Sequence, residues 1–409
     1  MDYASETPRT RVTHLPLAGL RVLDAATFLA APFAATLLSE FGADVIKIEQ
    51  PGLGDPLRRF GTMTEAGHSL NWANESRNKK TITLDLRKPE GAEIMKRLCS
   101  TADVVCENFR PGTFEKWGLG YDVLAGINSR LIMLRLSAFG QTGPNRDLPG
   151  FARIAHAFSG LSLICGEPGR VPVTPGASTL ADYASGVWGA FAIMVALTDR
   201  MNTGKGQCID LGLYQAPFRY MDEFVPAYAK TGQIRTRMGA ETHNLVPHGH
   251  FRTSDDRWLA ITCSSDKMFE RLSKMIGSET LLDPGLARTA QRIEARSTIN
   301  SIVIGWVSAR SAAEVQEICD RYEVPCSLLL SIADIFADPH YKARGDLLTV
   351  KDPVNGELVV PAPFPRMSEA ATRVDHLGLP LGACNQEIYG GLLRMSDGEI
   401  QELTAKGII

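Results

Sequence analysis

The chain has 409 residues, 44% hydrophobic and 22% charged, with 43 basic against 46 acidic side chains and a formal net charge of −3. That balance argues against a nucleic-acid or polybasic membrane surface, and the length implies more than one domain. The first fourteen residues are polar without an apolar signal core, and no uninterrupted apolar run approaches the ~18 residues of a membrane span, so a cytoplasmic protein is expected. Cys99, Cys106, Cys165, Cys208, Cys263, Cys319, Cys326 and Cys384 show no CxxC spacing, which predicts free thiols and no structural zinc site.

In chain order, the amino-terminal third alternates strand and helix. Leu20 to Ala25 reads as a strand, Pro32 to Phe41 as a helix stopped by Gly42, and Asp44 to Glu49 as a second strand. Thr81 to Leu86, Asp103 to Asn108 and Leu131 to Leu136 read as further strands, with helices at Pro89 to Ser100 and around Asp122 to Asn128. Such alternation predicts a parallel sheet covered by helices, with ligands at the carboxyl ends of its strands. The loops Thr27 to Ala31, Gln50 to Arg59, Glu107 to Gly112 and Ser137 to Gly143 are therefore the places for a site. None carries GxGxxG or a Walker motif, so nicotinamide and ATP sites have no support. Arg58, Arg59, Arg77, Lys79, Lys80, Arg87, Arg110 and Lys116 lie on or near strand ends. They read either as a polyphosphate grip made of side chains or as a solvated rim.

The block from Pro175 to Asp210 sets Asp182 among small and apolar neighbours, with its other acids, Asp199 and Asp210, at the far end. Tyr183 to Arg200 reads as an Ala-rich helix closed by Gly204 and Gly206, which places Asp182 where a loop enters it. The carboxylate is either a helix cap or a reactive group, and this block alone leaves both readings open. From Glu223 to Ser331 the pattern changes to a smaller α+β domain. Its strand is Trp258 to Cys263 and its helices are Asp266 to Ile276, Ile293 to Ser308 and Ala312 to Tyr322. His243, His248 and His250 lack a fixed carboxylate or cysteine partner, so no metal site is expected. Leu347 to Val360 reads as a hairpin around Asn355 and Gly356.

The segments LAGLRVLDAATFLAAPFAATLLSEFGADVIKIEQPG, NKKTITLDLRKPEG, CENFRPGTFEKWGLGYD, GQTGPNRDLPGF and the Asp182 block with TGKGQCID together resemble the class III CoA-transferases, the formyl-CoA and carnitine-CoA transferase group. The resemblance runs in order from about Leu15 to the terminus. It implies an α/β fold: a Rossmann-like large domain with a parallel sheet, plus a smaller α+β domain, in an interlocked ring-shaped dimer. The expected divisions are 15–222 and 332–409 for the large domain and 223–331 for the small one. The implied chemistry uses Asp182 as nucleophile, passing through aspartyl anhydride and aspartyl-CoA thioester intermediates. CoA and acyl-CoA are then substrates, with no permanently bound cofactor and no metal.

By matching position, the resemblance assigns CoA contacts to Gln50, Leu84, Arg87, Asn108, Phe109, Arg110, Lys116 and the turn Ser137, Ala138, Phe139 and Gly140. Leu29 stands where formyl-CoA transferases carry glutamine, and their glycine-rich small-domain loop has no counterpart, so formate and oxalate are not the expected pair. GFARIAHAFSG, PHGHF, LRRFGT and EKWGLGYDVL look most like the succinyl-CoA-dependent branch acting on dicarboxylates such as malate or citramalate. Arg153 and His156 are the candidates for a distal carboxylate. The rival on the same fold is an α-methylacyl-CoA racemase, whose histidine position is held here by Phe151. A third reading is a non-catalytic acyl-CoA-binding subunit of a heteromer, against which Asp182 argues.

Overall fold

The computed structural model describes residues 14–409, and the polar amino-terminal stretch lies outside the described residues. Two compact units are present. The first comprises the described residues through Leu161, Thr174–Val225 and Arg344–Ile409; the second comprises Ser162–Val173 and Pro226–Ala343.

The first unit is built on six strands: β1 (Arg21–Asp24), β2 (Asp44–Glu49), β3 (Lys79–Thr83), β4 (Val104–Glu107), β5 (Ile132–Ser137) and β6 (Cys208–Gly212), in the order β3-β2-β1-β4-β5-β6. Every neighbouring pair is parallel. Alternate side chains serve the two faces, as the period of a strand requires. Leu23, Ile46, Ile82, Val105 and Met133 enter one core, and Val22, Val45, Val104, Ile132 and Leu134 the other. The first core is closed by helix α2 (Pro89–Cys99) and by the carboxyl terminus, where Ile408 and Ile409 are buried and Tyr389 Oη donates to Thr83 O at 2.5 Å.

The second core is closed by α1 (Ala30–Glu40) and α4 (Leu180–Thr203); the short α3 (Ala152–Phe158) comes between them in the chain. Small residues let α4 approach closely. A β-carbon at Gly186 would come within 2.8 Å of Ala30 O, and one at Gly189 within 2.9 Å of Leu134 Cδ2. By length and composition α4 is apolar enough to cross a membrane, although Asp182, Asp199 and Arg200 interrupt its apolar run. Here it is a core helix whose Ala181, Ala184, Ser185, Ile193 and Ala196 are buried.

Two elements differ from the sequence expectation for physical reasons. The third strand runs over 79–83 and not 81–86, because Lys79 is fully buried in a 2.9 Å pair with Asp24 and belongs to the sheet. Beyond it the chain leaves the ladder, and the Asp85 amide donates to Ile408 O. The Asp182 helix begins at Leu180, so Asp182 lies inside its first turn and is not its cap.

The second unit holds an antiparallel sheet of β7 (His248–Arg252), β8 (Trp258–Thr262) and β9 (Cys326–Leu328). Helices α5 (Asp266–Ile276), α6 (Arg296–Ser308) and α7 (Ala312–Tyr322) pack on it around Leu259, Ile261, Leu272, Ile299 and Val303. Among the described residues no group of three His, Cys, Asp or Glu is placed to hold a metal. The hairpin of β10 (Leu347–Asp352) and β11 (Gly356–Pro361) belongs to the first unit and packs against Ala73 and Leu377.

Candidate active site

The strand order reverses direction between β1 and β4, and in open parallel sheets such a switch leaves a crevice beyond the strand ends. A cavity of about 690 Å³ lies there, within the size range of small-molecule sites. The loops after β1 and β4 are stitched together across it. The Thr27 amide donates to Asn108 Oδ1 at 2.8 Å, and Asn108 Nδ2 donates to Thr27 O at 2.7 Å. Phe28 has a φ of 66°, a conformation costly for an aromatic residue. Its amide is held by the Asp55 carboxylate at 3.1 and 3.2 Å, and Asp55 is held in turn by buried Lys47 at 2.9 Å. Lys47 also donates to Ala26 O, and Lys79 to Pro32 O at 2.7 Å. The buried ion network thus fixes the loop that forms one wall of the cavity.

This network uses up several of the cations suggested for polyphosphate. Lys79 is sealed in the core, Arg58 makes a forked pair with Glu49 at 2.6 and 2.7 Å, and Arg77 pairs with buried Glu40 at 3.2 Å. Lys80 spans Asp44 and Glu387.

Asp182 enters from the start of α4 and lines the cavity. Among the described residues its carboxylate makes no hydrogen bond or ion pair, and burial pushes its pKa up to about 7. Its neighbours face elsewhere: Tyr183 Oη donates to Glu75 Oε1 at 2.9 Å and Ser185 Oγ to Leu213 O at 3.1 Å. The cavity wall also offers donors. Leu29 gives α1 no side-chain cap, so the amides of its first turn, Ala30 and Ala31, have no intrahelical acceptor. Ser137 Oγ is buried on the lining and, among the described residues, has no partner.

Of the residues read from sequence, Asp182, Asn108, Phe109 and Arg110 line the cavity together, as do Ser137, Ala138 and Arg153. The Phe109 ring is braced by Phe114 and Trp117 at 5.6 and 5.0 Å. Arg110 and Arg153 are exposed, and among the described residues neither has an ion-pair partner.

The remaining assignments fall off the lining. Leu84 is 2% exposed in the core, Arg87 is paired with Asp85 at 2.8 Å, and Lys116 is an exposed residue on the surface. Gln50 closes the turn after β2 by accepting from the Gly54 amide. Phe139 packs on Phe158 at 5.0 Å. Gly140, at φ 86°, leaves room for Asp210, whose Oδ1 accepts from the Gln141 amide at 2.9 Å. His156 is fully buried off the lining, and its Nε2 is committed to accepting from the Ala181 amide at 2.9 Å. Arg146, which the sequence reading missed, lines the cavity beside Arg153. The signal for it was the arginine of the GPNRDLPGF segment, seven residues before Arg153.

An unpaired carboxylate thus lies over the switch point of an α/β sheet of order β3-β2-β1-β4-β5-β6. The chain belongs to CoA-transferase family III, whose model matches residues 17–383, and it is a class III CoA-transferase. It is 49% identical over 406 residues to the succinyl-CoA–L-malate CoA-transferase alpha subunit of Chloroflexus aurantiacus, covering 98% of this chain and 95% of that protein. The beta subunit from the same organism is also 49% identical, over 97% of this chain and 99% of that one. The succinyl-CoA–D-citramalate CoA-transferase of Chloroflexus aurantiacus is 40% identical, over 96% and 98%. Among solved structures, a CaiB/BaiF family protein from Brucella suis superposes with a TM-score of 0.80 at 31% identity, over 93% of this chain and 100% of that one.

Proposed function

We propose that this enzyme transfers CoA from succinyl-CoA to a C4 or C5 dicarboxylate of the malate or citramalate type, in the cytoplasm, where its eight free cysteines persist as thiols. The carrying observation is the desolvated Asp182 carboxylate, unbonded and facing a cavity lined by Arg110, Arg146 and Arg153. The identity to malate and citramalate enzymes supports the substrate class.

Asp182 attacks the thioester carbonyl of succinyl-CoA, giving a mixed anhydride and CoA thiolate. The thiolate then attacks the aspartyl carbonyl and releases succinate. The acceptor carboxylate attacks the aspartyl-CoA thioester, and the freed thiolate opens the second anhydride to give the new acyl-CoA and regenerate Asp182. Each addition places negative charge on a former carbonyl oxygen. The free Ala30 amide and the Ser137 hydroxyl are the donors on hand for it. Phe151, exposed on the same wall, has no proton to exchange, which favours transfer over racemisation. An acceptor screen with succinyl-CoA, read by mass spectrometry, tests the reading: malate and citramalate should rank first, and a preference for monocarboxylates would overturn it.

A nucleophile with a pKa near 7 sets a pH dependence. Only the ionised carboxylate attacks, so kcat/KM should be flat above about pH 8 and fall about tenfold per pH unit well below 7. A profile flat down to pH 5 would contradict the raised pKa.

We further propose a homodimer. Val187, Phe191 and Val195 make an exposed apolar stripe along α4, larger in character than an isolated surface residue requires. The equal likeness to an alpha and a beta subunit makes pairing with a paralogue the alternative. The chain expressed alone should have the native mass of a dimer; a monomer would favour the paralogue.

A further inference from the structure

We infer that His156 is a positioning residue for Asp182: it caps the helix start that carries the carboxylate and locks it to α3, whose first turn carries Arg153. The inference rests on Asp182 being the nucleophile. The first turn of a helix has amides without intrahelical acceptors, and an acidic side chain near the helix start is an ordinary means of satisfying one. In α4 the Thr179 side chain makes no cap. The Leu180 amide turns back to Ala177 O at 3.1 Å, and the Asp182 and Tyr183 amides both donate to Thr179 O, at 3.0 and 3.1 Å. Ala181 alone in this turn finds a side chain from another helix, His156 Nε2 at 2.9 Å. The imidazole therefore satisfies the Ala181 amide, and the Asp182 carboxylate takes no part in capping the turn. Asp182 is left free to face the cavity.

The geometry also fixes the state of the ring. An acceptor at Nε2 needs a lone pair, so the imidazole is neutral with its proton on Nδ1. Burial, and then the Arg153 charge, lower its pKa and favour that form. The ring is fully buried and, among the described residues, its Nδ1 has no partner and the bond to Ala181 is its sole polar anchor. Ala152 and Ala155 of α3 pack in one cluster with Ala181. The wall that carries Arg153 and the turn that carries Asp182 are thereby one piece.

The test compares three variants. In His156→Gln the amide oxygen reaches the position of Nε2, whereas in His156→Asn the side chain ends near Nδ1, one bond short. His156→Leu keeps volume without an acceptor. His156→Leu and His156→Asn should each lose about tenfold or more in kcat, the order of one buried hydrogen bond, with KM for succinyl-CoA within about twofold. His156→Gln should stay within about threefold of the parent. Hydrogen exchange of the peptide 177–185 should quicken in the Leu and Asn variants and stay slow in Gln. This readout does not depend on which residue is the nucleophile, so failure of the Asp182 reading is seen separately, as transfer surviving in Asp182→Ala. Parental kcat in the Leu or Asn variant, or equal losses in Gln and Asn, would overturn the role, as would a loss expressed mainly in KM. If the Leu variant does not fold, Gln against Asn, alike in polarity, still decides.

Discussion

Asp182→Ala should leave a folded protein that binds CoA and does not transfer it, with kcat reduced by on the order of 10⁴-fold or more, as expected when a covalent nucleophile is removed. Folding survives because the carboxylate holds nothing in place: among the described residues it has no hydrogen-bond or ion-pair partner. Stability should in fact rise at neutral pH. The folded pKa of about 7 lies above the ordinary aspartate value of 3.8, so this group's contribution is fully present below 3.8 and is lost as pH rises through about 7. Replacing it with neutral asparagine removes that loss. Asp182→Asn should therefore melt higher than the parent at pH 8 and equally at pH 3. The gap sets a ceiling of about 4 kcal/mol, and the carboxylate's access to the cavity keeps the gain below it. Trapping the acyl-enzyme with hydroxylamine and mapping the peptide gives the direct check. Modification of another residue, or substantial transfer by the alanine variant, would sink the assignment.

The sheet was legible because its strands are short apolar runs separated by proline and glycine, and parallel strands buried on both faces must read that way. The start of β3 was not, because a lysine looks like solvent until its partner is known. Lys79 becomes a core residue through Asp24, 55 positions away, and the Pro32 carbonyl. The same limit explains the cations. Arg58, Arg77 and Arg87 sit near strand ends in sequence as Arg110 does, yet carboxylates on other segments claim the first two and Asp85 claims the third. Asp182 stood out because it is an acid set directly among small, apolar residues. Its freedom from capping duty did not, since that depends on a histidine 26 residues earlier reaching the amide next to it. His156 was read as a substrate contact because it follows the PGF turn with Arg153 on the approach to the Asp182 block, and that spacing gives no sign of its bond to the Ala181 amide.

Arg153→Ala is the variant expected to change which acid is used. Arg153 lines the cavity on the wall opened by α3, is exposed, and has no ion-pair partner among the described residues, so no carboxylate of the protein competes for its guanidinium. A forked contact to the distal carboxylate of succinyl-CoA or malate is a charge-assisted bond worth about 1.5–3 kcal/mol. Its loss should lower kcat/KM for a dicarboxylate by about 10- to 100-fold. A monocarboxylate of similar length, such as 2-hydroxybutyrate, never makes the contact and should change by less than about threefold. Arg146 shares the wall but already meets Asp147 at 3.3 Å, so Arg146→Ala should reduce the preference less. The ratio between acids carries the test, because damage to folding or to CoA binding would depress both together. Equal losses on the two acids would discard Arg153 as the specificity residue and move the distal carboxylate to another part of the cavity.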